Sequence, residues 1–455
     1  MEITKIELEN FKNFKSAEIP FRKITLLTGE NSAGKSTILN ALGLITNSTE
    51  DKLFPFYFSN DGFVFAGGYK DIVNNGKIKQ KIKLGISYSH EGESFYASGS
   101  YMLFRSEIVV DELIINNSEI QFQMKKFPKD GYKVKKMFLK KHHEEKNNFG
   151  FIAKQTTNML LSMINDVSNG DKNEIERINT EMKEFYSDTF SDSSDWQDLD
   201  YKSPNLNMDL WIKKSRILDL FSVLLGKNIK SLSKGIRYHF PVRSSPKRYY
   251  ESRNLINRSS LEDSTLNFVR EWSKQDTSKI LQINRALNLI GLADVIETDF
   301  INDGLFEVKI KPKGCIKSYN FGDVGFGVSQ MLPVIVSIIE AGKNATHLIN
   351  QPEVHLHPSS QAQLANYFLE QSKDKRFVIE THSEYIINRF RLLVARKELI
   401  DEDILILYVD NKSGSAQIHE ITIGRNGELI GAPNSFFETY FIDNNEILMS
   451  GFEGE

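Results

Sequence analysis

A single cysteine, Cys315, stands in a chain of 455 residues. Without a second thiol there is no intramolecular disulfide and no four-cysteine zinc site, and such usage fits a reducing compartment. Long apolar runs are missing too. The longest, Met331–Ile339, is interrupted only by Ser337 and falls far short of the about 20 residues that a membrane-spanning helix needs. Net charge is almost absent. Fifty-seven Lys and Arg face 60 Asp and Glu, a formal −3, so any nucleic-acid contact must come from a local patch. There is no internal repeat and no sustained heptad. The opening Met1-Glu2-Ile3-Thr4-Lys5 carries an acid and leads into alternation, unlike a signal peptide. These absences predict a soluble, cytoplasmic chain without membrane attachment. At about 150 residues per domain, the length suggests two or three domains.

What is present alternates between strand and helix. Ile3, Ile6 and Leu8 alternate with polar neighbours, and a second strand ends in Ile24-Thr25-Leu26-Leu27-Thr28. Thr37 to Ile45 has helical spacing. From about 50 to 120 the pattern is short and alternating, with Gly and Asn breaks, as in an antiparallel β region. After 236 the order strand–helix–strand–helix–strand predicts a partly parallel α/β sheet. Its elements are a helix over Thr265–Leu292, a strand over Leu305–Ile310 and a helix over Ser329–Ala341. Then come a strand at Thr346–Asn350, a helix at Gln361–Gln371, a strand at Phe377–Glu380 and a hairpin over 404–423.

The stretch 121–235 differs. Nine lysines crowd Lys125–Lys146, helical patterns fall at about 155–187 and 205–233, and an acidic serine-rich spacer (Asp188, Asp192, Asp195, Asp198, Asp200) lies between them. This stretch reads as an inserted, mainly helical lobe. The expected organisation is therefore 1–120, the first part of an α/β domain; 121–235, the lobe; and 236–455, the second part. The lysines read either as solvated surface or as a grip on phosphates.

Gly29-Glu30-Asn31-Ser32-Ala33-Gly34-Lys35-Ser36 matches G-x-x-x-x-G-K-[ST], the P-loop, between an apolar strand and the helix that Thr37 begins. Such a loop wraps its N–H groups around phosphates at a helix N-terminus. Lys35 would reach the β/γ-phosphates and Ser36 would hold Mg²⁺. Lys12 is either a nucleotide contact or a solvated lysine. His347-Leu348-Ile349-Asn350-Gln351-Pro352-Glu353 has the shape of the strand that usually ends in a metal-binding carboxylate and a water-orienting base. Here both places hold amides, Asn350 and Gln351, which cannot take a proton or neutralise a cation. Glu353, two residues on, is the alternative base. Phe377 to His382 is another apolar strand with polar residues at its end, and His382 could donate to a γ-phosphate. Gly325-Phe326-Gly327-Val328-Ser329-Gln330 offers N–H groups and a hydroxyl at a helix start: either an anion surface or a capped glycine turn. His355 and His357, without a third ligand nearby, read as part of a turn before Pro358.

Taken in order, these segments resemble the ABC-type ATPases of the SMC/RecF/OLD group. The resemblance rests on Ile6–Phe14, the P-loop, Gly325–Gln330 at the signature position, Pro352–Pro358 (PE-hydrophobic-HLHP) and His382 at the switch-histidine position. It extends to bacterial AAA-family ATPases through Pro241–Tyr249, Asn426–Leu429 and Phe436-Phe437, and to the PtuA-type ATPases of two-gene Septu antiphage systems. The resemblance implies an ABC-type head, with a mixed β-sheet, flanking helices and an antiparallel β region, that binds ATP and Mg²⁺. It also implies a homodimer or higher homo-oligomer in which nucleotide is sandwiched, with Gly327, Ser329 and Gln330 acting in trans, and a PtuB-like HNH nuclease as partner. Ser36 and Asn350 would hold the metal; Gln351, Glu353 and His382 would occupy the catalytic positions. Related chains carry a carboxylate at the place of Asn350, so binding is implied more firmly than hydrolysis. About 70 residues follow His382, too few for the Toprim nuclease of OLD chains, and no C-x-x-C marks a zinc hook. Any nuclease, and with it any nucleic-acid substrate, is expected to come through another subunit. Two further readings stay open: an active ATPase of DNA repair using Glu353 and the lysines, and a structural protein whose fold nucleotide completes.

Overall fold

The computed structural model describes residues 2–46, 68–90, 92–104, 107–117, 120–127, 131–138, 197–199, 235–240, 246–251, 261–302, 304–412 and 414–433, with residues 436, 446 and 449. The first sheet has eight strands, all antiparallel. They are β1 (Glu2–Phe11), β2 (Phe14–Pro20), β4 (Ile82–His90), β5 (Glu93–Phe104), β6 (Glu107–Asn116), β7 (Ile120–Phe127), β8 (Gly131–Phe138) and β9 (Gln197–Leu199), in the order β2-β1-β4-β5-β6-β7-β8-β9. Strand β3 (Ile24–Gly29) leaves this sheet for a second one. There it lies parallel between β16 (Arg376–Glu380) and β17 (Ile404–Lys412), followed outward by β15 (Thr346–Asn350) and β10 (Ile236–His239) on one side. On the other side β18 (Ser415–Ile423) and β19 (Leu429–Ile430) add antiparallel strands. A third, small sheet holds β11 (Tyr250–Glu251), β12 (Ala293–Asn302), β13 (Leu305–Pro312) and β14 (Tyr319–Asn320).

The central parallel strands β15, β16 and β3 are buried on both faces, which is why they read as near-continuous apolar runs. Successive side chains still point to opposite faces. Leu27, Leu348, Val378, Leu405, Leu407 and Val409 join helix α1 (Lys35–Thr46) and the antiparallel sheet in one core. Ile24, Leu26, Ile349, Phe377, Ile379, Ile404 and Ile406 join the opposite core. That second core is closed by helices α3 (Leu261–Gln275), α4 (Thr277–Ile290), α5 (Phe326–Glu340), α6 (Pro358–Gln371) and α7 (Glu384–Ala395), with the small sheet beside them. A one-turn helix, α2 (Tyr69–Ile72), holds the β1–β2 turn through Lys12 N–H donating to Ile72 O at 2.7 Å.

Two expectations change. The lysine-rich start of the supposed lobe, 121–138, is not helical: it is the β7–β8 hairpin, continuing the antiparallel sheet past residue 120. The physical reason lies in the alternation Ile120, Phe122, Met124 against Gln121, Gln123, Lys125, a period of two that the lysine count hides. The helical patterns at 155–187 and 205–233 lie outside the described residues. The expected single helix over 265–292 is two helices, because Asp276 breaks the run in a non-helical conformation (φ −143°, ψ 76°). The hairpin also bears on the lysines. In register, Glu112 stands opposite Lys125, Lys125 opposite Lys133 and Lys133 opposite Asp198. Acids flank that row, and Gln123 also donates to Glu112 at 2.7 Å.

On β15 and β10 two buried histidines meet, His239 Nε2 and His347 Nδ1 at 3.1 Å, with His347 fully buried and stacked on Phe377. Burial holds His347 well below the usual histidine range, and the neighbouring His239 adds to this. A histidine with a lowered folded pKa contributes fully above its unfolded value of about 6.5, and that contribution is lost as pH falls toward the folded value. We therefore expect the wild-type thermal midpoint, compared with that of His347→Gln, to decline more steeply between pH 7 and 5.5. Comparing the two proteins cancels the opposite pull of the buried carboxyls Glu353 and Glu380, whose pKa values are raised.

Candidate nucleotide-binding site

The site gathers where the parallel strands end. Strand β3 runs into the P-loop with Gly29 at φ +132°, Ser32 at +61° and Gly34 at +123°. A Cβ at Gly29 would lie 2.0 Å from the Val409 carbonyl oxygen of β17, so no side chain fits there. At Gly34 a Cβ would meet the Phe14 ring at 3.1 Å. Glycine is therefore required by both contact and conformation. The loop is tied at its back: Glu30 N–H donates to Val409 O at 3.1 Å, and Asn13 Nδ2 donates to Ser32 O at 3.0 Å. Asn31, Ser32 and Ser36 are exposed, whereas Ala33, Lys35 and Thr37 are buried at the start of α1.

Lys35 points its ammonium at the loop's own carbonyls, Gly29 O at 3.0 Å and Glu30 O at 2.6 Å. Burial lowers its pKa, opposed by the Glu380 and Glu30 charges. Lys12 adjoins this loop through Asn13, in a left-handed turn (φ +48°) held by Ile72 and Asn74. Its ammonium is lowered by burial, with Asp71 opposing.

Strands β15 and β16 are direct neighbours, with Asn350 paired to Glu380 in register. Ser36 Oγ donates to Glu380 Oε1 at 2.9 Å, and Asn350 Nδ2 donates to Glu380 Oε2 at 3.0 Å. Burial raises the Glu380 carboxyl above the usual range and the Glu353 charge adds to it, while the Ser36 hydroxyl and Lys35 oppose. Tyr238 closes the group. Its hydroxyl donates to Asn40 Oδ1 at 3.3 Å, and burial followed by the Glu380 charge pushes its pKa up to about 12. Gln351 takes a left-handed conformation (φ +44°) as its N–H donates to Glu380 O at 2.8 Å. Beyond it Glu353 turns back, and its Oε1 accepts the His382 N–H at 2.7 Å. Its Oε2 is buried without a hydrogen-bond partner, and burial raises this carboxyl as well. The His382 ring is lowered by partial burial and then by the Lys35 charge. Ser383 caps α7 directly after it, accepting from Ile386 N–H at 3.3 Å.

The P-loop, Asn350, Gln351, Glu353 and His382 are thus brought to one edge of the sheet. Gly327, Ser329 and Gln330 are not brought to it by packing: α5 belongs to the core on the opposite face from α1. Ser329 and Gln330 are buried, and the Ser329 hydroxyl donates to Phe326 O at 2.8 Å. The groups left outward at this helix start are the Gly325–Phe326 backbone and the Phe326 ring, which packs 5.5 Å from His355. Gly327 fits against Leu356, 3.0 Å from where its Cβ would sit. His357 caps α6, its Nδ1 accepting Ser359 N–H at 3.3 Å.

Sequence reading passed over Glu380, Tyr238, Asn40 and Asn13. The signal for Glu380 was an acid ending the apolar run Phe377–Ile379, but only strand register reveals that it faces Asn350. Removing Lys35 deletes charge-assisted hydrogen bonds of about 1.5–3 kcal/mol. Lys35→Ala should therefore weaken ATP binding at least about tenfold by titration calorimetry, with far-UV circular dichroism unchanged. Gly29→Ala should lower the thermal midpoint as well, because the loop must move away from Val409.

No curated protein matches this sequence. Among solved structures, the chain is similar to an SMC head bound to the C-terminal winged-helix domain of ScpA, at 14% identity and TM-score 0.43, over 93% of this chain and 99% of that one. It is also similar to the SMC head domain from Thermotoga maritima, at 12% and 0.39, over 92% and 98%. A third is the SMC head domain with an extended coiled coil from Pyrococcus furiosus, at 14% and 0.40, over 92% and 96%. The family profile described as AAA ATPase domain matches residues 1–387, taking in the P-loop, the Asn350–Glu353 turn and His382. The chain belongs to the AAA ATPase domain family.

Proposed function

We propose that this protein is an ATP-dependent regulatory subunit: it binds ATP, turns it over slowly, and uses the bound nucleotide to hold two heads together. The observation that carries this reading is a complete P-loop beside a strand end where amides occupy both catalytic positions. Lys35 and Ser36 supply what phosphate and metal need. Gln351 can orient a water through its amide but cannot accept its proton. Loss of a positioned general base removes about 10²–10⁴ in rate. An effector that persists can bias an assembly by its differential affinity for two states. The placement of the Gly325–Gln330 segment across the sheet from the P-loop supports a site completed by a second copy, with the outward Gly325–Phe326 backbone facing phosphate in trans.

The finer assignment is a two-component antiphage complex in which this chain controls an HNH nuclease. The PtuA-like run Gln351–Pro358 and the Gly325–Gln330 segment support it. In a pull-down of the protein against an HNH protein encoded beside it, ATP should change nuclease output at least severalfold; an output indifferent to nucleotide contradicts the assignment.

A second reading has its own observation. Glu353 keeps one buried carboxylate oxygen unpartnered, as a base waiting for a water would. If Glu353 were the base, turnover would reach several per second, rise with pH as the raised carboxyl ionises, and collapse in Glu353→Gln. Typical enzymes run at about 10 per second. On the favoured reading, the purified protein turns over below about 0.1 per second. Light scattering should then show a larger species with MgATP than without it. For DNA repair, Glu112, which stands opposite Lys125 from β6, speaks against a strong phosphate grip. Lys133→Ala with Lys135→Ala should leave the salt dependence of DNA binding unchanged, in contrast to the slope expected for true phosphate contacts.

A further inference from the structure

We infer that Glu380, on β16, supplies the metal-binding carboxylate that β15 lacks, so that Mg²⁺ is held between Ser36 and Glu380 with Asn350 as a positioning residue. This deepens the nucleotide reading and rests on it. Among the described residues no three His, Cys, Asp or Glu side chains gather to hold an ion unaided. Nucleotide sites do not need three, since Mg²⁺ there takes one or two carboxylates and fills its octahedron with phosphate oxygens and water.

Three observations place the role on Glu380. Its Oε1 lies 2.9 Å from Ser36 Oγ. Adjacent octahedral ligands at about 2.0–2.1 Å from Mg²⁺ are themselves about 2.9 Å apart, so these two oxygens already have the spacing of neighbouring ligands. Next, the second oxygen is fixed by Asn350 Nδ2 at 3.0 Å. An amide donates there, whereas an aspartate at 350 would set two carboxylates against each other, which disfavours ionisation of both. Amide and acid are therefore chemically matched across the Asn350–Glu380 pair, and the carboxylate stands one strand nearer to β3. Finally, Glu380 is 3% exposed, and both of its side-chain hydrogen bonds come from neutral donors, the Ser36 hydroxyl and the Asn350 amide. A buried carboxylate is stabilised by a cation, and Mg²⁺ arriving with the phosphates would provide one.

The test is a titration of the full chain with a fluorescent ATP analogue, in EDTA and in Mg²⁺. Wild type should bind more tightly with Mg²⁺. Glu380→Gln, which preserves shape but turns one of the two acceptor oxygens into a donor that the Ser36 hydroxyl can accept, should lose that metal-dependent gain about tenfold or more while keeping its affinity in EDTA. The double variant Glu380→Gln with Asn350→Asp places a carboxylate on β15 and should restore the gain, and the affinity kept in EDTA shows that the single variant is folded. A Glu380→Gln protein with the full Mg²⁺ gain overturns the inference and leaves the nucleotide reading standing. Absence of binding by wild type in both conditions overturns the nucleotide reading itself, and the inference with it.

Discussion

The hydrogen bonds from Ser36 and Asn350 to the two oxygens of Glu380 join three parts of the chain that sequence keeps far apart. The P-loop helix, the amide-ended strand β15 and strand β16, which leads into His382, meet through that one carboxylate. Everything else at the site is arranged around it. Tyr238 and Lys35 sense its charge, Gln351 donates its N–H to the Glu380 backbone, and Glu353 sits near enough to raise its pKa. The parallel order β15-β16-β3 makes the convergence possible, because it places three strand ends side by side.

The same sheet separates the site from the segment that would complete it. Alternate side chains of each central strand feed two different cores, one containing α1 and the other α5. Packing of this kind is rigid, so the helix carrying Gly327 is not free to swing across the sheet. On the proposed reading, such a site would respond to nucleotide by recruiting another surface. Slow chemistry would then suit it: amides at 350 and 351 would keep the bound state in place, and the carboxylate proposed at 380 would hold the metal.

Much of this was legible in the sequence. The P-loop, strand β15 and strand β16 announced themselves by composition, and the amides at Asn350 and Gln351 were visible as departures. What was not legible depends on register and on contact. The pairing of Asn350 with Glu380 is set by which strands neighbour each other, and a single chain of letters does not state it. Ser329 reads as an exposed hydroxyl at a helix start, yet its side chain folds back onto Phe326 O. The β7–β8 hairpin was obscured for another reason. Lysines at 125, 126, 133, 135 and 136 dominate the composition and hide the apolar alternation that forms strands. Gly29 is the opposite case: the motif marked the glycine, and the structure adds a second reason for it in the close contact with Val409.

The most direct test of this account is anomalous scattering from Mn²⁺ in crystals grown with Mn²⁺ and a non-hydrolysable ATP analogue. The account predicts a metal peak in contact with the analogue's phosphates, Ser36 Oγ and a Glu380 carboxylate oxygen, with Asn350 still hydrogen-bonded to the other oxygen. A peak that contacts Ser36 and the side chain of Asn350 while Glu380 stands away from it would contradict the account.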